Sequence, residues 1–209
     1  MRNSAEPITA VVFDFGGVMT TTTMPDRVRP VAAKLGIPWS VLEDGYGRYR
    51  RLMDGGFIEL STVYDLILAD AGLELKPGDL AEIVREDLAS FLYRNERTVR
   101  WMKSLRERGL RIGILTNMPP SFVRPFRETF GDFIALADAV VISGEERMYK
   151  PQRRIYDLLR QRLGVPAGEI LFVDDVEGNC EGARSAGWRA LRFESNEQVE
   201  REFESLMNR

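Results

Sequence analysis

Five short runs of β-branched, aliphatic and aromatic residues constrain this chain more than any other feature. They are AVVF with Phe15 just beyond it, LRIGILTN at 110–117, AVVIS at 139–143, ILFVDD at 170–175 and WRALRF at 188–193. Each has the length and bias of a buried strand. The segments between the later runs carry apolar residues at three- and four-residue spacing, at Thr98 to Arg108, Ser121 to Phe130, Gln152 to Leu163 and Glu177 to Ala186. Ser195 and Gln198 form a capping box that predicts one more helix. Strands alternating with helices imply an α/β fold with a parallel sheet covered on both faces.

The stretch from Thr21 to Tyr93 departs from this alternation, because it contains no convincing buried strand. Helical spacing recurs at Arg27 to Leu35, Val41 to Met53, Ser61 to Ala71 and Gly78 to Tyr93. Gly36-Ile37-Pro38, Asp54-Gly55-Gly56 and Gly72 through Pro77 separate these helices, with Ser61 and Asp79 placed to cap the third and the fourth. The expected organisation is a sheet-containing core formed by residues 1–20 and 94–209, interrupted by a helical insert at 21–93 of small-domain size.

In a parallel sheet, ligands bind beyond the carboxyl ends of the strands. Here those ends carry Asp14, Thr116-Asn117, Ser143 and Asp174-Asp175. Asp14 lies within AVVFDFGGVMT, between an apolar strand and a paired glycine turn. A carboxylate at that edge must be hydrated, hydrogen-bonded or paired with a metal. Asp174 and Asp175 suit either the N-terminus of the next helix or a ligand set, and Thr116 and Asn117 suit either a turn cap or a binding role.

Composition removes several chemistries. The chain has no histidine, which excludes Ser-His-Asp and Cys-His catalysis and His-ligated zinc. Its one cysteine, Cys180, excludes an internal disulfide framework and is expected to be a packed thiol. The net charge of -3 gives no reason to expect a nucleic-acid or acidic-membrane partner. Arg97, Arg100, Lys103, Arg106, Arg108 and Arg111 read instead as the solvated face of a helix that buries Val99, Met102 and Leu105. The polar start MRNSAEPITA and the absence of a long apolar run lead to the expectation of a cytoplasmic protein.

The fragments Phe-Asp-Phe-Gly-Gly-Val, Ile-Leu-Thr-Asn, Tyr-Lys-Pro and Phe-Val-Asp-Asp-Val-Glu-Gly-Asn occur in that order. Together they resemble the four motifs of the haloacid dehalogenase superfamily, and the insert falls where that superfamily has a helical cap. Within it the chain looks most like the phosphatase group that includes the N-terminal domain of soluble epoxide hydrolase and sugar-phosphate phosphatases. The resemblance implies a Rossmann-like core and Mg²⁺-dependent hydrolysis of a small phosphorylated metabolite through an aspartyl phosphate. It also assigns roles: Asp14 as nucleophile, Thr116 and Asn117 on the phosphoryl oxygens, and Lys150 neutralising charge. Asp14, the Gly16 carbonyl and Asp175 become the expected metal ligands, with Asp174 either a further ligand or directly behind them. Such chemistry is sound for these residue types, since a carboxylate nucleophile divides one displacement into two and a hard cation offsets the repulsion between anions.

One position departs from the pattern. Family phosphatases carry a second Asp two residues after the nucleophile as general acid and base, whereas this chain has Gly16. Losing such a group costs on the order of 10²–10⁴-fold. The expectation is therefore a phosphatase restricted to good leaving groups, with Glu177 or Glu59 as candidate replacements. The alternatives are a phosphate-ligand binding or regulatory protein with little turnover, or a haloacid dehalogenase. Tyr46, Arg48, Tyr49 and Arg51 read as packing and solvated positions, and Phe57-Ile58-Glu59 as the cap loop that reaches the site.

Overall fold

β1 (Ala10–Phe13) is the central strand of a five-stranded, wholly parallel sheet in the computed structural model, which describes residues 6–21 and 23–208. Residues 1–5 of the polar start, Thr22 of the insert and Arg209 lie outside the described residues. The remaining strands are β2 (Arg111–Thr116), β3 (Ala139–Ile142), β4 (Ile170–Asp174) and β5 (Arg189–Arg192), and the order across the sheet is β3-β2-β1-β4-β5. The α/β expectation holds, with β2 to β5 each trimmed by a residue at one or both ends. Phe13 pairs with Ile114 of β2 on one side and Val173 of β4 on the other. This register brings Asp14, Thr116 and Asp174 to one edge of the sheet, where the strand order reverses between β1 and β4.

Side-chain alternation divides the strands between two cores. Val11 and Phe13 pack with residues of α5 (Glu96–Glu107), α6 (Pro120–Thr129), α7 (Gly131–Ile134) and α11 (Asn196–Met207), including Trp101, Phe126, Phe133 and Phe203. Ala10 and Val12 pack on the other face against α9 (Arg153–Leu163) and α10 (Glu177–Ser185). The basic run behaves as expected. Val99, Met102 and Leu105 are buried, while Arg97, Arg106 and Arg108 pair with Glu200, Asp138 and Glu204. Cys180 is also buried.

The insert consists of α1 (Met24–Lys34), α2 (Trp39–Asp54), α3 (Leu60–Asp70) and α4 (Pro77–Ser90). These helices share a separate apolar cluster centred on Val28, Leu42, Tyr64, Ile67 and Ile83. The chain leaves and re-enters the core at one place. Thr21 N donates to Tyr93 O at 2.8 Å and Asn95 N to Met19 O at 2.8 Å, so the two connections run antiparallel beside each other.

Local caps differ from expectation. Ser61 and Asp79 lie inside the first turns of α3 and α4, whose N-caps are Glu59 and Lys76. Pro77 at N1 starts α4 without a side-chain cap, because its missing N–H is one that a helix start leaves unpaired anyway. Ser195 caps α11 by accepting from Gln198 N, but Gln198 Oε1 accepts from Glu194 N instead of the N-cap amide. Ser143 does not extend β3; it opens the one-turn helix α8 (Ser143–Glu146) and accepts from Met118 N at 2.8 Å. Among the described residues no helix is long and apolar enough to cross a membrane.

Candidate active site

Asp14 follows β1 directly, and its backbone N still donates to Val173 O at 2.9 Å, which holds it against the end of β4. The backbone on either side is anchored by rings. Phe13 meets Trp101 edge-on at 5.2 Å, and Phe15 lies 4.7 and 4.8 Å from Phe130 and Phe126. Asp14 Oδ1 accepts from Phe15 N at 2.6 Å and from Lys150 Nζ at 2.8 Å. Lys150 Nζ also donates to Asp174 Oδ2 at 2.6 Å. Lys150, on the turn before α9, is thus a buried cation between two buried carboxylates.

Asp174 ends β4 and is firmly held. Its Oδ1 accepts from Val176 N at 2.8 Å, and Asn179 Nδ2 reaches both of its oxygens at 3.0 and 3.1 Å. Asp175 is freer and lies against Gly17, where a Cβ would fall 2.5 Å from its Oδ2. Gly17 has φ of +74°, a conformation that glycine adopts without strain. Oxygens of Asp14, Asp174 and Asp175 all lie within 4.8 Å of one another.

Three acids around one ammonium leave an excess of negative charge. Burial, and then Asp174, hold the Asp14 carboxyl well above the usual range, with Lys150 pulling the other way. Asp175 is raised by the same two causes. Burial alone would lower Lys150, but Asp14 and Asp174 outweigh it and raise its pKa. The cluster therefore favours binding of a cation, and its all-oxygen donor set suits a hard divalent ion.

Above these groups lies a cavity of about 340 Å³ between the sheet edge and the insert. Asp14, Gly16, Gly17, Asn117, Lys150 and Asp175 line its floor; Met24, Tyr46, Arg50, Phe91, Met118 and Phe122 line its walls. A larger groove of about 540 Å³, between α4 and α6, contains none of the clustered acids, so chemistry and not size identifies the site.

Thr116 is buried at the end of β2 with its hydroxyl 3.4 Å from Asn117 O, and it does not line the cavity. Asn117 does, and its side chain is a brace. Its Oδ1 accepts from Lys150 N at 2.8 Å, while Nδ2 donates to Lys150 O at 3.1 Å and to Asp54 Oδ2 at 3.2 Å. Glu177 pairs with Arg184 and Glu59 accepts from Ser121 N, so neither candidate replacement acid lines the cavity. Phe57 is exposed and is not among the lining residues, whereas Tyr46 is. Arg48 and Tyr49 engage Asp70 instead. Sequence reasoning missed Arg50 and Phe91. The available signal for Arg50 was its position four residues after Tyr46 and four before Asp54, on one helical face.

A carboxylate delivered by a central strand to a lysine and two further acids, beneath a helical cover, defines a class of α/β enzymes that act through a strand-end acid. Within that class the chain belongs to the haloacid dehalogenase-like hydrolase family, whose model matches residues 8–187. It is 31% identical over 198 residues to phosphatase MT3486 of Mycobacterium tuberculosis, covering 92% of this chain and 90% of that protein. The fold is similar to that of the HAD family enzyme bt-2542 from Bacteroides thetaiotaomicron, a crystal structure in complex with magnesium and inorganic phosphate. That match has a TM-score of 0.69 at 19% identity and covers 88% of this chain and 93% of the other. The L-2-haloacid dehalogenase of Xanthobacter autotrophicus also shares the fold, with a TM-score of 0.65, 22% identity and coverage of 95% and 83%.

Proposed function

We propose that this hydrolase is a Mg²⁺-dependent phosphatase of small phosphate monoesters that works through an aspartyl phosphate on Asp14. The observation that carries the reading is Lys150 set between Asp14 and Asp174, with Asp175 completing a compact acidic trio. The phosphatase relative and the magnesium and phosphate held by the Bacteroides enzyme support it. Asp14, Asp175 and the Gly16 carbonyl would hold the ion, while Asp174, both of whose oxygens are hydrogen-bonded, orients the set. When bound, Mg²⁺ supplies positive charge that offsets the repulsion between a carboxylate and a phosphoryl dianion.

The protein's own groups account for the rest. Asp14 Oδ1 is fixed by Phe15 N and Lys150, which leaves Oδ2 to form the bond to phosphorus. Lys150 opposes the protonation that burial and Asp174 favour at Asp14 and would neutralise charge that builds on the phosphoryl oxygens. The Asn117 backbone N–H, at the cavity floor, would complete that cradle, and the Thr116 hydroxyl behind it would join only by turning away from Asn117 O. In this reading residues 1–20 and 94–209 act as the catalytic core and 21–93 as the cap that covers the substrate.

Dehalogenation is the weaker reading within the family. Asp174 and Asp175 beside Asp14 would repel a haloacid carboxylate unless a cation neutralised them. The test is initial-rate hydrolysis of aryl, anomeric and alkyl phosphates with Mg²⁺. Asp14→Asn should lower the rate about 10³-fold or more, and excess chelator should abolish it. Background rates with every ester, alongside retained binding of a phosphate analogue, would instead make this a phosphate-binding protein.

A further inference from the structure

With glycine at position 16, the departing oxygen has no carboxylic acid at the usual place. The titratable groups that line the cavity are Asp14, Asp175, Lys150, Tyr46 and Arg50. The two acids belong to the nucleophile and the ion, and Lys150 is committed to Asp14 and Asp174. Tyr46 is a poor donor, because burial and then Asp87 push its hydroxyl well above the ordinary phenol range. Arg50 is the remaining group, and its chemistry is to stabilise an anion without giving up a proton.

Arg50 is also held for the task. Its Nε lies 3.0 Å from both oxygens of Asp54, one turn along α2, and Asp54 is tied to the core by Asn117 Nδ2 at 3.2 Å. The guanidinium lies 5.8 Å from the Tyr46 ring centroid. Among the described residues its two terminal amino groups have no hydrogen-bond partner, and the half-exposed side chain lines the cavity. It is near enough for its charge to act on both Asp14 and Asp175. In-line displacement at phosphorus puts the leaving oxygen opposite the attacking one. Asp14 enters the cavity from the sheet edge and Arg50 from α2 of the insert.

We propose that the Arg50 guanidinium is a catalytic group that stabilises the departing oxyanion in place of a proton donor. The inference rests on the phosphatase reading of the same site. The bond from Asp14 Oδ2 to phosphorus forms as the phosphorus–oxygen ester bond breaks, and the released pair stays on the leaving oxygen as an anion paired with Arg50. That oxyanion takes its proton from solvent on release. Water then attacks the aspartyl phosphate, its proton passing to solvent and the Asp14 carboxylate leaving.

The test is kcat/KM, which reports the first irreversible step, for aryl phosphates of graded phenol pKa with saturating Mg²⁺. Arg50→Ala should lose about 10²-fold on the poorest leaving group and less than about 3-fold on dinitrophenyl phosphate. The dependence on leaving-group pKa therefore steepens, and Arg50→Lys, which keeps the charge, falls between. Thermal melts of both variants check folding; should Arg50→Ala fail to fold, the slope for Arg50→Lys decides. Equal losses across the series, or none, overturn the role and leave Arg50 as a cap-docking residue. A steeper slope for Tyr46→Phe with no change for Arg50→Lys also overturns it. If the native protein hydrolyses no ester faster than Asp14→Asn does, the phosphatase reading itself fails and the role for Arg50 falls with it.

Discussion

At Gly16 the neighbour that a side chain would meet is the Phe91 ring. A Cβ there would lie 3.4 Å from Phe91 Cε1, at van der Waals contact, and the backbone is outside the left-handed region. Gly16→Asp alone should therefore do little for alkyl phosphates, because the new carboxyl competes with the Phe91 ring. Gly16→Asp combined with Phe91→Ala opens that space and should raise kcat/KM for alkyl phosphates about 10-fold or more over Phe91→Ala, as general acid catalysis is restored. An unchanged alkyl-to-aryl ratio in the double variant would show that position 16 is not where the proton is wanted. Gly17 is less forgiving. Gly17→Ala combines a positive φ with a Cβ 2.5 Å from Asp175 Oδ2, so it should displace that carboxylate and weaken Mg²⁺ binding about 10–100-fold by titration calorimetry. Asp14, Asp174 and Asp175 were legible as strand-end acids, whereas Lys150 was legible only through the resemblance of Tyr-Lys-Pro to a family motif. Arg50 was not, since several arginines crowd the same helix and only the packing of α2 decides which one faces the cavity.

Between elements, α3 and α4 are joined by a buried acid. Tyr64 OH donates to Asp87 Oδ2 at 2.8 Å, while Oδ1 has no hydrogen-bond partner among the described residues. Burial raises the Asp87 carboxyl to about 6, with the Tyr64 hydrogen bond opposing it. The folded state thus binds this proton more tightly than the unfolded chain does. The cost of burying the charge is present in full above pH 6 and fades as pH falls toward the unfolded value near 4. A shift of this size corresponds to about 3 kcal/mol. Asp87→Asn keeps an acceptor for Tyr64 and should stabilise the protein at pH 8 by about 1–3 kcal/mol. The gain should disappear between pH 6 and pH 4 in paired urea melts, and a gain independent of pH would rule out ionisation as its cause. These helices were legible from their apolar spacing, but their starts were not. Side-chain caps are the visible signal of a helix start, and Glu59 and Lys76 supply no side-chain cap hydrogen bond.

Across the whole molecule, core and insert meet at a seam remote in sequence. Asn117 reaches Asp54, Ser121 N reaches Glu59, and Gly56 lies against Gly144 so closely that a Cβ at 56 would stand 2.6 Å from Gly144 O. The run of helices from α1 to α4 was visible in the loss of strand pattern after Thr21, whereas this seam was not, because it depends on how their apolar cluster meets those of the sheet. Its position matters, since Asp54 orients Arg50 and Asn117 braces Lys150, which ties docking to both sides of the cavity. Gly56→Ala offers a direct probe. Its φ of +68° disfavours any side chain, and the clash falls on backbone that cannot rotate away. The insert must therefore lift at this point while the apolar clusters of the sheet and of the insert stay intact. The expected outcome is a modest loss of stability, about 1–3 kcal/mol, with a larger kinetic effect in which KM rises and kcat falls together. Gly36→Ala, with a similar φ of +71° but open space around it, is the control: it carries the backbone strain without the clash. If the two variants lose stability alike and Gly36→Ala also loses kcat, strain within the insert and not contact at the seam governs turnover. If only Gly56→Ala loses activity, closure of the insert on the core is part of assembling the site.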